Sequence, residues 1–275
     1  MARNQYQSNI SMGPIIDISD IWRYSMEKEV YEELKRIQNT HWWFVGKRQI
    51  VLDIFKDYVN GRDNKILDVG CGMGLMLQHL KKNGEVFGID FSKEALQYCQ
   101  NTFGKENIKY GKLPDNMPFD NEFFDAVVAL DVLEHIADDL SSISKLYDIL
   151  KDNGICLCTV PALDCLWSYN DIAVHHKRRY SKKELISKFE HCGFKIKMCS
   201  YYNFYLFIPI FLIRKFKNIL KIQKDDMSDN VKDNVVNRIL YKIFSSERRH
   251  LKKGGYPIGV SIILVAAKEK NICHA

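Results

Sequence analysis

Five residues in the first third of the chain have the types and spacing of a small-ligand site. Gly70, Gly72 and Gly74 form a G-x-G-x-G turn that follows a short apolar run. Asp68 lies just before this turn, and Asp90 lies 20 residues after its first glycine. A carboxylate at that distance can accept hydrogen bonds from both hydroxyls of a ribose. A carboxylate just before the turn can bind a cationic amine.

The spacing of the glycines narrows the class of ligand. A dinucleotide-binding loop needs G-x-G-x-x-G, because its third glycine lets the helix pack closely on the strand. Leu75 occupies the position of that third glycine here. A ligand with a ribose and an ammonium group but no pyrophosphate fits this turn better than NAD does. S-adenosylmethionine (SAM) is such a ligand, so the sequence predicts a SAM site.

Further segments surround this turn in a known order. Residues 67–74 (LDVGCGMG), 88–92 (GIDFS), 124–128 (FDAVV) and 133–136 (LEHI) resemble the motifs of class I SAM-dependent methyltransferases. The resemblance covers roughly residues 64–160, and the ordered set is far more specific than one glycine turn. It implies a SAM cofactor and a Rossmann-like α/β sheet of seven strands. In that fold the last strand is antiparallel and lies between the fifth and the sixth.

The resemblance also implies which residues contact SAM. In this family an Asp after a glycine equivalent to Gly111 often binds the adenine amino group, but here that residue is Lys112. We therefore expect adenine to be held by backbone groups near Leu113 and by apolar packing. The residues predicted to bind the cofactor are Trp43, Arg48, Asp68, Gly70, Cys71, Gly72, Met73, Asp90, Phe91, Leu113, Leu130 and Asp131.

An aromatic segment precedes the turn. Residues 41–48 (HWWFVGKR) are similar to the H-W-W-F-x-x-R-R segment of a bacterial methyltransferase group often linked to surface-glycan and natural-product pathways. One interpretation is a cap over the SAM pocket in which Arg48 faces a carboxylate. The other is a helix that packs on the sheet. The group commonly has another Arg where Val45 stands in this chain.

A second polar cluster follows the predicted fourth strand. Asp131, Glu134 and His135 are spaced so that they would share one face of a helix. They have a purely structural interpretation, and a pocket interpretation with Asp131 near the SAM methionine and His135 near the acceptor. The third interpretation is a divalent-metal site of these three residues. Quinone-type O-methyltransferases and certain small-RNA methyltransferases use a similar E-x-x-E-H arrangement, in which the first Glu is replaced by Asp131 here.

A third cluster lies after the predicted fifth strand. Residues 166–171 (LWSYND) and 175–181 (HHKRRYS) resemble the W-S-x-x-D and H-H-x-R-R-Y-[ST] signature of the same bacterial group. We expect this loop to contact the substrate, with a solvated basic loop as the alternative. The predicted substrate-binding residues are Tyr169, Asp171, Arg178, Arg179 and Tyr180. The candidate catalytic bases are His135, His175 and His176, because imidazole titrates near neutral pH.

Hydrophobic periodicity predicts the elements that must position these clusters. Short apolar runs predict strands at 65–69, 85–90, 107–110, 123–130, 155–160, 194–200 and 258–267. The predicted organisation is a flexible N-terminus (1–20), an N-terminal helical cap (21–60) and a SAM-binding α/β core (61–200). A helical insertion (201–256) and the last strand with a tail (257–275) complete it.

The insertion begins with an apolar stretch. Residues 201–213 are almost wholly apolar and aromatic, but they are too few to span a bilayer, which needs about 20. Arg214, Lys215 and Lys217 follow directly. One interpretation is a peripheral membrane contact through residues 201–217, suited to a lipid-linked acceptor. The other is a substrate lid or a homodimer face.

Composition limits the remaining functional classes. The net charge of +6 is concentrated in residues 201–255, where 12 Lys and Arg face 5 Asp and Glu. The near-neutral remainder disfavours a nucleic-acid partner. Eight scattered cysteines without a C-x-x-C pair predict reduced thiols. The first residues also lack the pattern of a signal peptide. We therefore expect a cytoplasmic protein, either free or peripheral to the membrane.

These observations predict a SAM-dependent methyltransferase. Its expected acceptor is a hydroxyl, with an amine as second choice, on a small molecule, a sugar or a lipid-linked glycan. One alternative is a metal-assisted O-methyltransferase that acts on a phenolic or quinone-like acceptor. The other is a SAM-binding module without catalytic activity.

Overall fold

The computed structural model describes residues 35–220, 222 and 235–270. Its strands are β1 (Asn64–Val69), β2 (Gly84–Asp90), β3 (Ile108–Tyr110), β4 (Phe124–Leu130), β5 (Leu150–Pro161), β6 (Lys195–Tyr202) and β7 (Ser261–Ala267). They form one seven-stranded sheet in the order β3-β2-β1-β4-β5-β7-β6. The first five strands pair in parallel, and β7 pairs antiparallel with both β5 and β6. The predicted class I Rossmann-like sheet is confirmed.

Helices cover both faces of this sheet. They are α1 (Trp42–Tyr58), α2 (Leu75–Leu80), α3 (Lys93–Phe103), α4 (Asp139–Ile149), α5 (Tyr169–Ala173), α6 (Lys182–His191), α7 (Phe207–Ile219), α8 (Val235–Ser246) and α9 (Arg248–Leu251). Apolar residues of α1, α2, α3 and α8 form a core with one face of the sheet. Those of α4 and α6 form a second core with the opposite face. The carboxyl edge of the parallel strands therefore lies between two helical layers, where ligands bind in such folds.

The first strand-turn-helix unit forms where the sequence predicts it. Ile66 and Leu67 on β1 are fully buried, because a central parallel strand is covered on both faces. The chain then turns through three glycines into α2. The next helix, α3, begins after Ser92, whose hydroxyl accepts a hydrogen bond from the Ala95 amide at 3.2 Å. This cap fixes the path of the chain directly after Asp90.

The N-terminal region lies on the sheet rather than apart from it. The predicted flexible residues 1–20 and the first part of the predicted cap, 21–34, lie outside the described residues. Residues 35–40 are helical, and α1 begins after His41, whose Nδ1 accepts a hydrogen bond from the Trp43 amide at 3.3 Å. Farther along α1, Ile50 and Ile54 are buried in the core. Only the first two turns of α1 reach the carboxyl edge of the strands.

Between β6 and β7 the chain forms three helices in the described residues. Helix α8 packs on α1, and a Cβ atom on Gly46 would lie 2.6 Å from the Phe244 ring, so only glycine allows this approach. Glu247 is fully buried and accepts hydrogen bonds from the amides of Asn203 at 2.7 Å and Tyr205 at 3.0 Å. These bonds fasten the segment before α7 to the start of α9. Residues 221 and 223–234 of the predicted insertion lie outside the described residues.

Candidate functional site

A cavity of about 690 Å³ opens at the carboxyl ends of β1, β2 and β4. This volume suits a ligand of the size of a nucleoside with a side chain. The glycine turn, the first turns of α1 and the start of α3 form its walls. The cofactor residues predicted from sequence line it with one exception; they are Trp43, Arg48, Asp68, Gly70, Cys71, Gly72, Met73, Asp90, Phe91, Leu130 and Asp131.

The exception is Leu113. Its side chain is buried in the core beneath β2 and β4 and is absent from the cavity wall. At this end of the cavity the side chains of Tyr110 and Phe91 are exposed instead. The prediction that backbone groups near Leu113 hold adenine stays a prediction, and the side chain of Leu113 belongs to the core.

The glycine turn has a backbone that other residues would strain. Gly70, Gly72 and Gly74 have φ values of 72°, 52° and 77°. A Cβ atom on Gly74 would also lie 2.7 Å from the Cys99 sulfur, whereas a Cβ atom on Gly72 would meet nothing within 4 Å. Gly72 therefore borders open space in the cavity, and Gly74 allows α2 to approach α3. The turn is tied to β2 by hydrogen bonds from the Gly70 and Cys71 amides to the Ile89 carbonyl, at 2.8 and 3.0 Å.

Two backbone amides orient the carboxylate of Asp90. One of its oxygens accepts a hydrogen bond from the Gly72 amide at 2.8 Å, and the other accepts one from the Ser92 amide at 2.9 Å. Burial raises the pKa of Asp90, and these backbone bonds act in the opposite direction. Each carboxylate oxygen has a second lone pair. The carboxylate can therefore accept hydrogen bonds from two vicinal hydroxyls while it keeps those from the Gly72 and Ser92 amides.

Asp68 lies at the end of β1 beneath the turn. It is only 3% exposed. Burial and the nearby charge of Asp90 raise the pKa of Asp68 to about 8, and Lys47 partly opposes this shift. When a cation enters beside a buried carboxyl whose pKa is raised this far, it stabilises the ionised form of that carboxyl. The site is thus suited to a ligand ammonium group.

Lys47 is the most buried cation of the cavity wall and is not among the residues predicted from the sequence motifs. Its ammonium group pairs with the carboxylate of Asp131 and lies 5.0 Å from the centre of the Trp43 ring. Asp131 also accepts a hydrogen bond from the Thr159 hydroxyl at 2.9 Å. The sequence spacing indicates Lys47, because it follows Trp43 by four residues and the two side chains therefore lie on one face of α1. Arg48, the predicted cation, donates to the Gln38 carbonyl at 3.1 Å at the edge of the cavity.

The predicted face of Asp131, Glu134 and His135 does not form. The chain makes a short 3₁₀ turn at Leu133–His135, and Asp131 precedes it with a φ of 55°, so the three side chains are not stacked as on an α-helix. His176 takes the place of Asp131. One ligand atom each of Glu134, His135 and His176 lie within 4.8 Å of one another. The predicted metal set is therefore wrong in its first member.

Glu134 is the unusual residue of this group. It is fully buried, and neither of its carboxylate oxygens accepts a hydrogen bond from any residue that the structure describes. The imidazole of His176 lies beside it, with 3.8 Å between Nε2 and a carboxylate oxygen. Burial raises the pKa of Glu134 well above its ordinary value, and the charge of Asp131 adds to the shift. A buried carboxylate without a donor is costly, so a ligand or proton is expected there.

The two rings of the group are held differently. The rings of His135 and His176 meet edge to face, with centres 4.8 Å apart. Nδ1 of His176 lies 2.9 Å from the carboxylate of Asp171, which fixes the orientation of that ring. Desolvation of the His135 ring, together with the charge of His176, lowers the pKa of His135. His135 is therefore neutral at pH 7 and can accept a proton.

Most of the predicted substrate-binding loop is engaged with the protein itself. Arg179 and Asp171 are both buried and form a two-bond ion pair with distances of 2.9 and 3.1 Å. Tyr180 is fully buried and donates to Asp139 at 2.8 Å. Arg178 pairs with the same carboxylate at 3.0 Å. The predicted substrate contacts of Asp171, Arg179 and Tyr180 are therefore corrected to structural contacts, because these groups have no surface left for a ligand.

The remaining loop residues are accessible. His175 is exposed and has a φ of 60°, and Tyr169 is half-buried at the start of α5. The loop as a whole lies against the 3₁₀ turn, since the Lys177 amide donates to the Glu134 carbonyl at 2.8 Å. Asp131 marks the boundary between the two parts of the site. It lines the cavity, and it leads into the turn that carries Glu134 and His135.

Comparison with known proteins agrees with this geometry. Residues 67–158 match the family of methyltransferase domains. The chain is 24% identical over 160 residues to a Mycolicibacterium smegmatis protein named a probable S-adenosylmethionine-dependent methyltransferase. The matched region covers 57% of this chain and 61% of that protein. It is 35% identical over 112 residues to the ubiquinone biosynthesis O-methyltransferase of Alkalilimnicola ehrlichii, covering 38% and 44% of the two chains. The chain thus spans about three fifths or less of these two relatives.

Solved structures share the fold. A protein in complex with the Trm112 methyltransferase activator of Haloferax volcanii superposes with a TM-score of 0.56 at 19% identity, covering 87% of this chain and 94% of the other. The phosphoethanolamine N-methyltransferase 2 of Haemonchus contortus, solved with SAM, gives a TM-score of 0.53 at 18% identity and covers 80% and 52%. At these identities the likeness concerns the fold alone.

Proposed function

We propose that this protein is a SAM-dependent methyltransferase that acts on a hydroxyl group of a small molecule, a sugar or a lipid-linked glycan. The observation that carries the proposal is the cavity at the glycine turn. There two backbone amides orient the Asp90 carboxylate, which can accept hydrogen bonds from ribose hydroxyls, and the buried carboxyl of Asp68 suits an ammonium group. An amine is the second choice of acceptor. The match of residues 67–158 to methyltransferase domains supports the same function.

The reaction needs positioning more than elaborate machinery. The acceptor oxygen attacks the methyl carbon, the new O–C bond forms as the S–C bond breaks, and SAM leaves as S-adenosylhomocysteine. Holding the two reactants in line supplies much of the rate in such a displacement. Lys47 and Asp131, which pair at the cavity wall, are placed to fix the side of the cofactor that faces the acceptor.

A hydroxyl acceptor must also lose its proton. His135 is the best-placed base, because desolvation keeps its ring neutral at pH 7 and its ring is still exposed. His176 touches it and is held by Asp171, so it is assigned a positioning role. His175 is the third candidate and lies exposed on the same loop. The relatives named ubiquinone biosynthesis O-methyltransferases support a hydroxyl acceptor over an amine.

The test begins with the cofactor. SAM at a hundred times its Kd is expected to add about 2.7 kcal/mol to the free energy of unfolding, whereas NAD at the same concentration adds nothing. The second step is single-turnover incubation of the protein with methyl-labelled SAM and fractionated cell extract. Labelled product is expected in a small-molecule or lipid fraction. A protein that binds NAD and ignores SAM would refute the proposal.

The same experiment decides against a module that only binds SAM. Such a module would be stabilised by SAM and by S-adenosylhomocysteine, yet it would give no labelled product from any fraction. Labelled product that disappears in His135→Ala, with SAM affinity unchanged, would establish catalysis. Product that persists in this variant would transfer the role of base to His175 or His176.

A second candidate is metal-assisted O-methylation of a phenolic or quinone-like acceptor. The observation in its favour is Glu134, whose buried carboxylate has no donor among the described residues and faces two imidazoles. One carboxylate and two imidazoles suit a divalent transition metal and leave positions open. A cation held there would neutralise the carboxylate and lower the pKa of a bound hydroxyl. In this case His135 and His176 are ligands rather than bases.

Metal dependence has a direct test. The purified protein is treated with EDTA, desalted and titrated with Zn²⁺, Mn²⁺ and Mg²⁺ by calorimetry. Stoichiometric binding that is lost in Glu134→Gln is expected for the metal-assisted enzyme. Activity that survives exhaustive chelation would exclude it and leave His135 as the base.

A further inference from the structure

Among the residues that the structure describes, the contacts of helix α7 with the rest of the molecule lie along one side. The Arg214 guanidinium donates to the Leu166 carbonyl at 3.0 Å, and the Asn218 amide donates to the Trp167 carbonyl at 2.8 Å. Ile210 packs against the core between these residues and the start of the helix. None of the 13 residues of α7 is buried. The helix therefore lies on the surface as an added element rather than as part of the fold's interior.

The opposite side of α7 is apolar. At 100° per residue, the residues that are exposed there fall within an arc of about 140°, centred opposite Arg214 and Asn218. Ile208 is 66% exposed and Ile219 is 76% exposed, so large apolar side chains are in solvent along the whole helix. The members of this apolar face are Ile208, Leu212, Ile213, Phe216, Ile219 and Leu220. A contiguous apolar face of this kind on a surface helix indicates an interaction site.

The charges beside this face are positive. The helix sequence FIPIFLIRKFKNI contains three basic residues and no acidic residue. Lys215 is exposed at the edge of the apolar face, with its ammonium group 5.7 Å from the centre of the Phe211 ring. Its long stem can lie along the apolar surface while the ammonium group points to an anion. An apolar face bordered by lysine is typical of helices that lie in the surface of an anionic bilayer.

We propose that α7 binds the surface of an anionic membrane, with the apolar face among the acyl chains and Lys215 at the phosphates. The helix does not cross the bilayer, since no described helix is long and apolar enough to do so. A second copy of the chain fits this face less well. In a symmetric dimer α7 would meet its own copy, and its sequence contains no acidic residue to pair with Lys215.

The position of α7 gives the contact a function. Leu166 and Trp167, to which it is bonded, follow β5 at the carboxyl edge of the sheet, on the same loop as Tyr169 and His176. Membrane binding would therefore bring the acceptor side of the site to the lipid surface. This last step rests on the proposed function and narrows the acceptor to a lipid or a lipid-linked glycan.

The test is flotation of the full chain with vesicles, without SAM or acceptor. Vesicles of phosphatidylcholine with about one third phosphatidylglycerol are compared with vesicles of phosphatidylcholine alone. The wild type is expected to float with the anionic vesicles. The partition coefficient is expected to fall at least tenfold in Leu212→Glu and in Phe216→Glu, and several-fold in Lys215→Glu.

Leu140→Glu is the matched control, because Leu140 is an exposed leucine on α4, which covers the other face of the sheet. It should float as the wild type does, and thermal melting shows that each variant is folded. Failure of the wild type to float, or flotation that the α7 variants leave unchanged, overturns the proposal. A dimer in light scattering that Leu212→Glu dissociates, without vesicle binding, would assign the face to a second copy. Because no cofactor is present, these results do not depend on methyl transfer.

Discussion

Two buried aspartates show how the two sides of the site differ. The donor side is the cavity proposed to bind the methyl donor, and the acceptor side is the loop proposed to bind the methyl acceptor. Asp68, at the SAM cavity, has its pKa raised to about 8 by burial and by Asp90. Burial acts in the same direction on Asp171, but a hydrogen bond from His176 and the charge of Arg179 outweigh it and lower its pKa to about 2. Asp171 already has its cation, whereas Asp68 has only the partial influence of Lys47. The carboxyl of Asp68 is therefore available to a ligand, whereas that of Asp171 stabilises the fold.

The same contrast extends to the neighbouring residues. On the donor side, Asp90 and the glycine turn face a cavity and keep unused hydrogen-bonding capacity. On the acceptor side, Arg179 and Tyr180 are enclosed by their partners, whereas the carboxylate of Glu134 has no hydrogen-bond donor among the described residues. A charged motif therefore signals a ligand only where the protein leaves its charges unmatched.

The largest effect is expected from Asp171→Asn. It leaves the buried Arg179 guanidinium without its counter-charge, which costs about 3–5 kcal/mol of the free energy of unfolding. Urea denaturation at pH 7 measures the loss. Because the folded pKa of Asp171 is depressed, the wild-type contribution is present above pH 4 and disappears as pH falls toward 2. Asp152→Asn, an exposed control, should change stability little. A loss below 1 kcal/mol would place Asp171 among the accessible groups.

Asp90→Asn is expected to weaken SAM binding about 100-fold. Asn has one acceptor oxygen in place of two, so one of the charge-assisted hydrogen bonds to the ribose hydroxyls is lost and the other becomes an ordinary one, a loss of about 3 kcal/mol. Calorimetric titration with SAM gives the affinity, and Asp63→Asn is the matched control, since Asp63 is exposed at the opposite end of β1. Equal affinities in both variants would remove Asp90 from the cofactor site.

The pKa of Asp68 predicts a pH-dependent affinity for SAM. Below pH 8 this carboxyl is protonated in the empty site, so forming an ion pair with the SAM ammonium group releases a proton. Affinity should therefore fall as pH decreases, by about tenfold between pH 7 and pH 6. It should also fall well above pH 8, where the SAM amine loses its own proton. Asp68→Asn should have no acid limb, and an acid limb that persists in it would assign the titration to another group.

The smallest effect is expected from a variant of Tyr180, on the acceptor side of the site. Tyr180→Phe removes one hydrogen bond to Asp139, which keeps Lys188 at 2.9 Å and Arg178 at 3.0 Å. We expect a loss of about 1 kcal/mol in the free energy of unfolding and no change in the KM of the acceptor. Tyr169→Phe makes the same change at a half-buried tyrosine of the predicted substrate-binding set and serves as the comparison. A raised KM with unchanged stability in Tyr180→Phe would restore the substrate contact that its burial argues against.

Much of the fold could be predicted from local sequence. The strand before the turn, the glycines with positive φ and the capped helix after Asp90 each depend on a few consecutive residues. The residues of the cavity wall also come from local segments, since the turn and the strand ends come together in any sheet of this order. The position of the Leu113 side chain in the core depends instead on packing with residues distant in sequence.

The partners of the charged side chains depend on the tertiary structure. Lys47 meets Asp131 across 84 residues, and Tyr180 meets Asp139 across 41. Whether Asp171 would be a ligand group or a buried anchor, and whether His176 or Asp131 would join Glu134, also depended on how loops fold against the sheet. Backbone geometry follows from neighbours in sequence and can be predicted from them. The protonation and availability of a charge depend on its burial and its partners, which exist only once the chain is folded.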